Sequence, residues 1–384
     1  MIFLNMNLDD YFAGQLEAQY EYQSFLPTQI HHPWIIADAK LQTLLGQADR
    51  VLGELNAFSQ LVPDIEFFIR TYVVKEATQS SKIEGTQTNI EDAFKKEADL
   101  SPEKRDDWAE VQNYIHAINF AIESLERLPL SNRLLRDTHA VLLSGVRGKN
   151  KMPGEFRTSQ NWIGVSLKNA VFVPPHQSRV TELMSDLEKF LHDEQINVPP
   201  LIKIAIAHYQ FETIHPFLDG NGRLGRLMIS LYLASERLLT KPALYLSDYF
   251  ERNKTAYVDH LMAVRQGHNM REWVVFFLYG IKETAESAIG VFKEILVIKE
   301  RIEREVLPRF SQRRQENVQR LMRHLYERPV VDIKNVSELL NTTPNTAGAL
   351  VDDLIKHNVL RELTGQQRNR LFIFYEYLNL FTRQ

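Results

Sequence analysis

Apolar residues return at three- and four-residue intervals along most of this chain, the period of amphipathic helices. From Asp38 onward Leu41, Leu44, Leu45, Ala48, Leu52 and Leu55 trace one such face. A second helix is predicted from about Pro63 to Ser81 through Phe67, Phe68, Tyr72, Val73 and Val74, and Gly85 suits the C′ position beyond its end. The same pattern recurs over residues 102–125 and 132–143, then over 179–192, 199–213, 222–238, 253–266 and 271–289.

Two stretches break the period. Before Asp38, Phe25-Leu26-Pro27 and His32-Pro33-Trp34 oppose continuous helix and predict an extended arm. Between residues 144 and 180, Gly145, Gly148, Pro153, Gly154 and Gly164 interrupt it, and Asn169-Ala170-Val171-Phe172-Val173 is a β-prone run closed by Pro174 and Pro175. That interval reads either as a hairpin with one free edge or as a surface loop.

A long charged helix over about 289–306 leads to Pro308, taken as a domain boundary. Beyond it come helices at 311–327, 334–340 and 346–357, then two strands within Arg361 to Tyr375 around Gly365-Gln366-Gln367-Arg368. Three helices followed by a hairpin form the winged helix-turn-helix pattern. Its second helix of the pair carries Asp352 and Asp353 and only Lys356 near its end, which suits phosphate poorly, whereas Arg368 and Arg370 on the hairpin favour it. DNA contact and partner docking or homodimer formation both remain open for this domain. The fold expected is mainly α: an arm and helices over 1–100, a core over 101–290, a linker helix over 291–308 and the winged helix over 309–384.

Bulk composition narrows the function. With 384 residues and 44% hydrophobic content the chain can bury a sizeable core, and a net charge of -4 argues against coating nucleic acid or anionic lipid over a whole surface. Having no cysteine, it can build no disulfide and no thiolate metal site, which suits a reducing cytoplasm. The start Met1-Ile2-Phe3-Leu4-Asn5 lacks the layout of a signal peptide, and no apolar run reaches the ~20 residues of a membrane span. The expectation is a cytoplasmic protein without a membrane partner.

The chemistry concentrates in Ile214-His215-Pro216-Phe217-Leu218-Asp219-Gly220-Asn221-Gly222-Arg223-Leu224-Gly225-Arg226. Asn221 stands where a helix would start, and Gly220 and Gly222 permit close backbone approach, leaving N–H groups to cradle an anion. Arg223 and Arg226 share the first turn, where the helix dipole disfavours cations, so a polyphosphate is the natural counter-charge. Asp219 would repel that anion unless it holds a divalent cation, and a hard oxygen ligand suits magnesium. His215 can accept a hydroxyl proton near neutral pH. Together these groups suit attack by a hydroxyl on a nucleotide phosphate.

Other readings of the same stretch compete. Gly220 to Gly225 formally matches a dinucleotide fingerprint, but His215, Pro216 and Asp219 occupy the place of the strand that fingerprint requires. A zinc pair of His215 and Asp219 is spoiled by Pro216 and Gly220. A plain turn between core helices, with ion-paired arginines, needs no ligand at all.

The run His215 to Arg226 resembles the H-x-F-x-[D/E]-G-N-G-R-x-x-R signature of the Fic family of AMP-transferring enzymes. The resemblance extends to Gly154-Glu155-Phe156-Arg157, Asn161-Trp162 and the run Val171 to Pro175, similar to the family's flap, and to later segments, over roughly residues 60–290. It implies an all-α core transferring AMP from ATP to a Ser, Thr or Tyr hydroxyl of a target protein. His215 would be the general base and Asp219 would hold Mg2+. Gly220, Asn221 and Gly222 would cradle the α- and β-phosphates, and Arg223 and Arg226 the β- and γ-phosphates. Tyr257 is a candidate wall of the adenine pocket, and Val171, Phe172 and Val173 would pair with an extended target segment.

The segment Ser80-Ser81-Lys82-Ile83-Glu84-Gly85 is similar to the family's inhibitory pattern [S/T]-x-x-x-E-[G/N]. The resemblance then implies the class with an amino-terminal inhibitory helix, in which Glu84 pairs with Arg226 and takes the donors that the γ-phosphate needs. Transfer of another nucleotide, removal of AMP, or a transcription regulator with a nucleotide-sensing core are the alternatives.

Overall fold

The structure is a computed structural model describing residues 6–62, 64–145, 150–365 and 369–383. Pro63, Gly148 and the hairpin tip Gln366-Gln367-Arg368 therefore lie outside the described residues. The arm is extended: β1 (Met6–Asn7) pairs in parallel with β4 (Trp34–Ile35), and β2 (Gly14–Ala18) pairs antiparallel with β3 (Gln23–Pro27). It is also docked, because Tyr11, Ala13, Ile30 and Trp34 are buried against the body.

Helix α1 (Ala39–Leu61) starts on Asp38, whose carboxylate accepts from the N–H groups of Lys40 and Leu41. Helix α2 (Ile65–Ile83) ends at Glu84 and passes into Gly85 at φ +108°, the left-handed position that glycine alone takes without strain. The short α3 (Ile90–Ala93), α4 (Arg105–Ser124) and α5 (Asn132–Leu142) follow. The irregular interval does hold a hairpin, β5 (Ile163–Gly164) against β6 (Ala170–Phe172), with a register shift between Ile163 and Gly164.

Helix α6 (Val180–His192) packs on α7 (Pro200–Ile214), the most deeply buried helix of the core, and α7 packs on α8 (Asn221–Ser235). After α9 (Ser247–Arg252) and α10 (Lys254–Gly267), α11 runs unbroken over Met270–Arg301. The core helix and the charged helix read separately from sequence are thus one element. Ile289, Phe292, Ile295 and Ile298 continue its buried face, so the rise in surface charge changes solvation and not backbone direction.

The carboxyl-terminal region contains α12 (Gln312–Glu327), β7 (Val330–Asp332), α13 (Ile333–Leu340), α14 (Pro344–Lys356), β8 (Arg361–Glu362), β9 (Leu371–Ile373) and α15 (Tyr375–Thr382). Three helices and the β8–β9 hairpin occur in the expected order, while β7 joins them into a sheet of order β7-β9-β8. Neither β7 nor α15 was legible in the pattern. Helix α15 turns back onto α2: Tyr377 Oη lies 3.0 Å from Thr71 Oγ1, and the Phe381 and Tyr72 rings meet edge-on at 5.0 Å. The α12 end contributes Tyr326, edge-on to Phe68 at 5.3 Å, and Glu327, which pairs with Arg70. Helix α2 is consequently held between the core and the carboxyl-terminal region. Among the described residues no helix is long and apolar enough to cross a membrane.

Candidate active site

The site sits where α7 ends and α8 begins. His215 caps α7 in the left-handed region at φ 50°, its N–H donating to the Phe211 carbonyl at 2.9 Å. This turn stops the helix and swings the following loop across the start of α8. Asn221 closes the loop from both sides, accepting from the Phe217 N–H and donating to the Phe217 carbonyl, each at 2.8 Å. The helix cap is Gly220, at φ +75°, and Asn221 is the first helical residue. The Asn221 side chain thus shapes the anion cradle through the loop backbone.

Three residues hold this loop: Arg157 and Asn161, placed from the sequence only in the flap, and His139, which the sequence did not single out. Arg157, buried, donates from Nε to the His215 carbonyl at 2.9 Å and from one terminal nitrogen to Pro175 and Ile214, at 2.6 and 3.3 Å. Asn161 donates to the carbonyls of His215 and Phe217 at 3.1 and 2.9 Å. His139 contacts the Asp219 carbonyl through Nε2 at 2.9 Å and accepts from the Gly154 N–H at 2.8 Å, its ring stacked on Phe217 at 3.8 Å. Their carbonyl partners on the loop are more than fifty residues away along the chain, so no local spacing marks them.

His215 is half-buried, and burial, with Arg265 nearby, pushes its imidazole down to about 4. The ring is therefore neutral at pH 7 and has a lone pair to offer. Among the described residues nothing pairs with His215 Nδ1. Asp219 accepts the Gly220 N–H at 2.6 Å, and its side chain remains 41% exposed. No group of three or more His, Cys, Asp or Glu side chains among the described residues could form a metal cage. A single open carboxylate fits magnesium arriving with a nucleotide, since that ion keeps waters and substrate phosphates in its shell.

The two arginines are placed differently. Arg223 is buried, 3.5 Å from Glu110 and 3.7 Å from Asp219, with no acceptor for its Nε among the described residues. Arg226 is engaged by α2: Nε donates to Ser80 Oγ at 2.8 Å, and one terminal nitrogen donates to the Ser80 carbonyl at 3.0 Å and to Glu84 Oε1 at 2.7 Å. Burial alone would lower Arg226 and raise Glu84. Their mutual attraction reverses both, holding the guanidinium above and the carboxyl below their ordinary values. A Cβ on Gly222 would overlap the Glu84 carboxylate, so the second glycine of the cradle also admits α2.

Helix α2 reaches this position through buried polar contacts. Glu76 accepts from Ser247 Oγ at 2.5 Å, and Tyr114, its hydroxyl 3.3 Å from Glu76, donates to the Arg223 carbonyl at 2.8 Å. Lys254 caps the Ile83 carbonyl at 2.6 Å. A second buried carboxyl, Glu212, lies against Gly225 and is pushed up to about 7 by burial, Arg226 opposing and Glu84 adding to the shift. Tyr257 is buried beneath the site, its hydroxyl 2.9 Å from His208 Nε2, whose Nδ1 meets the Gly225 carbonyl at 2.9 Å.

On the flap, Val171 is exposed, Phe172 is buried, and the Val173 carbonyl accepts the Phe25 N–H. The structure therefore gathers His215, Asp219, Gly220, Asn221, Gly222, Arg223, Arg226, Ser80 and Glu84 at one junction. The flap residues lie beyond its Arg157 and Asn161 side.

Comparison with known proteins agrees with this geometry. Residues 42–123 match the family model described as Fic/DOC family N-terminal, and residues 129–233 match Fic/DOC family. Protein adenylyltransferase fic-1 of Caenorhabditis elegans is 37% identical over 81 residues, covering 21% of this chain and 15% of that protein. Protein adenylyltransferase Fic of Drosophila grimshawi is 41% identical over 81 residues, 21% of this chain and 16% of its own length. The match thus spans about a sixth of these curated relatives. In fold, a Fic family protein from Desulfovibrio desulfuricans G20 superposes with a TM-score of 0.57 at 20% identity, covering 89% of this chain and 98% of that one. C. elegans Fic-1 gives 0.50 at 21%, covering 67% and 74%. With both models matched in order and the signature loop closed between α7 and α8, residues 42–233 carry the two Fic/DOC family domains.

Proposed function

We propose that this protein is an adenylyltransferase that moves AMP from ATP to a side-chain hydroxyl of a target protein, and that Glu84 holds it in an inhibited state. The observation that carries the reading is a neutral His215 beside an arginine-lined cradle whose second arginine is bonded to Glu84. In the reaction the target hydroxyl oxygen attacks the α-phosphorus. The bond from that phosphorus to the bridging oxygen breaks, pyrophosphate leaves, and the hydroxyl proton passes to His215. Gly220 and Gly222 let the backbone approach the phosphates, and Arg223 supplies positive charge opposite them. Magnesium held by Asp219 would neutralise phosphate charge when bound.

Glu84 acts on the nucleotide through Arg226. With Arg226 committed to Ser80 and Glu84, the terminal phosphate has no guanidinium to receive it, so ATP settles with its α-phosphorus misplaced. The names of the curated relatives support the reaction class. Incubation with labelled ATP tests the reading: Glu84→Gly should raise incorporation at least tenfold, self-modification included, on the order of one lost charge-assisted contact. His215→Ala in that background should abolish incorporation and retain ATP binding. Equal labelling of wild type and Glu84→Gly defeats the inhibitory assignment, and undiminished labelling with His215→Ala removes the base.

A further inference from the structure

The edge of the flap is partly filled by the chain itself. The Phe25 N–H in β3 donates to the Val173 carbonyl at 2.9 Å, and the Phe25 ring lies 5.9 Å from Phe172, over which Arg265 sits at 3.9 Å. At the turn of the same hairpin Tyr22 Oη donates to Gln160 at 3.2 Å, and Gln160 donates to the Pro174 carbonyl at 3.0 Å. Toward the body, Gln210 donates to the Thr28 carbonyl at 3.0 Å and Asp186 accepts the Ile30 N–H at 2.7 Å. Anchored on both sides, the β2–β3 hairpin is a fixed wall. Beyond that contact the flap exposes three large apolar side chains, Val171 at 64%, Val165 at 93% and Trp162 at 43%, beside the polar turn of Lys168 and Asn169.

We propose that the β2–β3 hairpin decides which polypeptides the flap accepts. It closes the Val173 position and leaves one apolar step at Val171, so that a hydroxyl-bearing turn is selected over a strand long enough to pair along all of β6. The inference rests on the proposed function in taking the flap as the docking edge. Strand addition draws its affinity from successive main-chain bonds at alternate residues. A strand reaching Val173 meets a carbonyl already used and the Phe25 ring behind it. With main-chain pairing shortened, affinity must come from an apolar side chain of the target lying over Val171, Val165 and Trp162, beside the acceptor hydroxyl. Phe25 is on this account a specificity-determining residue and not a catalytic one.

Phe25→Pro tests the inference, because it removes the N–H that points at the flap while costing the β2–β3 pair none of its own bonds. The substitution is made in the Glu84→Gly protein, and fluorescent dephosphorylated casein, an unstructured polypeptide, serves as the probe. Casein binding should tighten several-fold, with AMP incorporation into casein rising in step and ATP affinity unchanged. Unaltered casein binding by a variant that melts like its parent overturns the proposal. If the proline variant melts early, Phe25→Ala combined with Tyr22→Phe loosens the same wall without touching the main chain, and the same two outcomes decide. Since binding needs no catalysis, a protein that binds casein but transfers no AMP counts against the proposed function, while the hairpin inference is still decided by the binding change.

Discussion

Ser80 shows how much of the Arg226–Glu84 contact depends on single groups. It is fully buried and supplies two acceptors to Arg226, the hydroxyl at 2.8 Å to Nε and the carbonyl at 3.0 Å to a terminal nitrogen. Ser80→Ala removes the first and leaves Glu84 in place. The guanidinium then loses one of the bonds that fix its plane, so transfer should rise above wild type but stay below Glu84→Gly, at a stability cost of about 1–2 kcal/mol. Labelled ATP and a melting curve check both halves. Ser80, Glu84 and Gly85 were singled out in the sequence only through their resemblance to the family's inhibitory pattern. The loop-holding roles of Arg157, Asn161 and His139 were not legible there, since a buried side chain bonded to distant carbonyls leaves no periodic trace.

Among the elements, α2 is the one whose position sets the site. Its carboxyl end is tied by Lys254 to the Ile83 carbonyl, and its outer face by Lys82 to Glu251 at 2.8 Å and Lys75 to Asp248 at 3.2 Å. Lys254→Met keeps the bulk and removes the charge that caps the last turn, worth about 0.5–1 kcal/mol. Fraying of that turn moves Glu84, so the variant should transfer AMP faster than wild type and its amides near Ile83 should exchange faster with solvent. Unchanged rates in both measurements would separate the cap from inhibition. Helix α8 illustrates a start set largely by local chemistry: Gly220 in the left-handed region and Asn221 bonded to Phe217 shape it, and the distant Asn161 and His139 brace the same loop.

At the scale of the whole molecule, the carboxyl-terminal region presses on the same α2. Phe381 and Tyr377 pack on Tyr72 and Thr71, and Lys96 pairs with Asp332 at 2.7 Å. Phe381→Ala should cost about 3–5 kcal/mol by cavity formation. With α2 less firmly backed, it should also raise transfer in wild type but not in Glu84→Gly, which labelled ATP on both backgrounds will show. Acid stability is a second property of the whole. Burial lowers His139 to about 4 and His208 to about 3, both below an unfolded value near ~6.5. At these two sites the unfolded chain binds protons that the folded one refuses, so their contribution falls as pH drops below about 6.5, opposed in part by Glu212, which burial raises to about 7. At pH 5 these two fully buried histidines together withdraw about 4 kcal/mol, readable as a fall in denaturation midpoint between pH 6.5 and 5.

The sequence by itself determined the helices, the turn chemistry at Gly85 and Gly220, the signature loop and the candidate base and cradle, while a role for Glu84 came only from resemblance to the family's pattern. Each of these depends on residues within about one helical turn or one loop of each other, where spacing dictates geometry. It missed β7, α15 and the continuity of α11, because short edge strands and a mixed-polarity helix depend on partners elsewhere. Only the tertiary structure decided that Arg226 is held by Ser80 and Glu84, more than 140 residues away, and that the arm's Phe25 closes part of the flap. Those contacts arise from burial: a guanidinium enclosed at the α7–α8 junction must find acceptors, and the packing of α2 between core and carboxyl-terminal region is what brings them there.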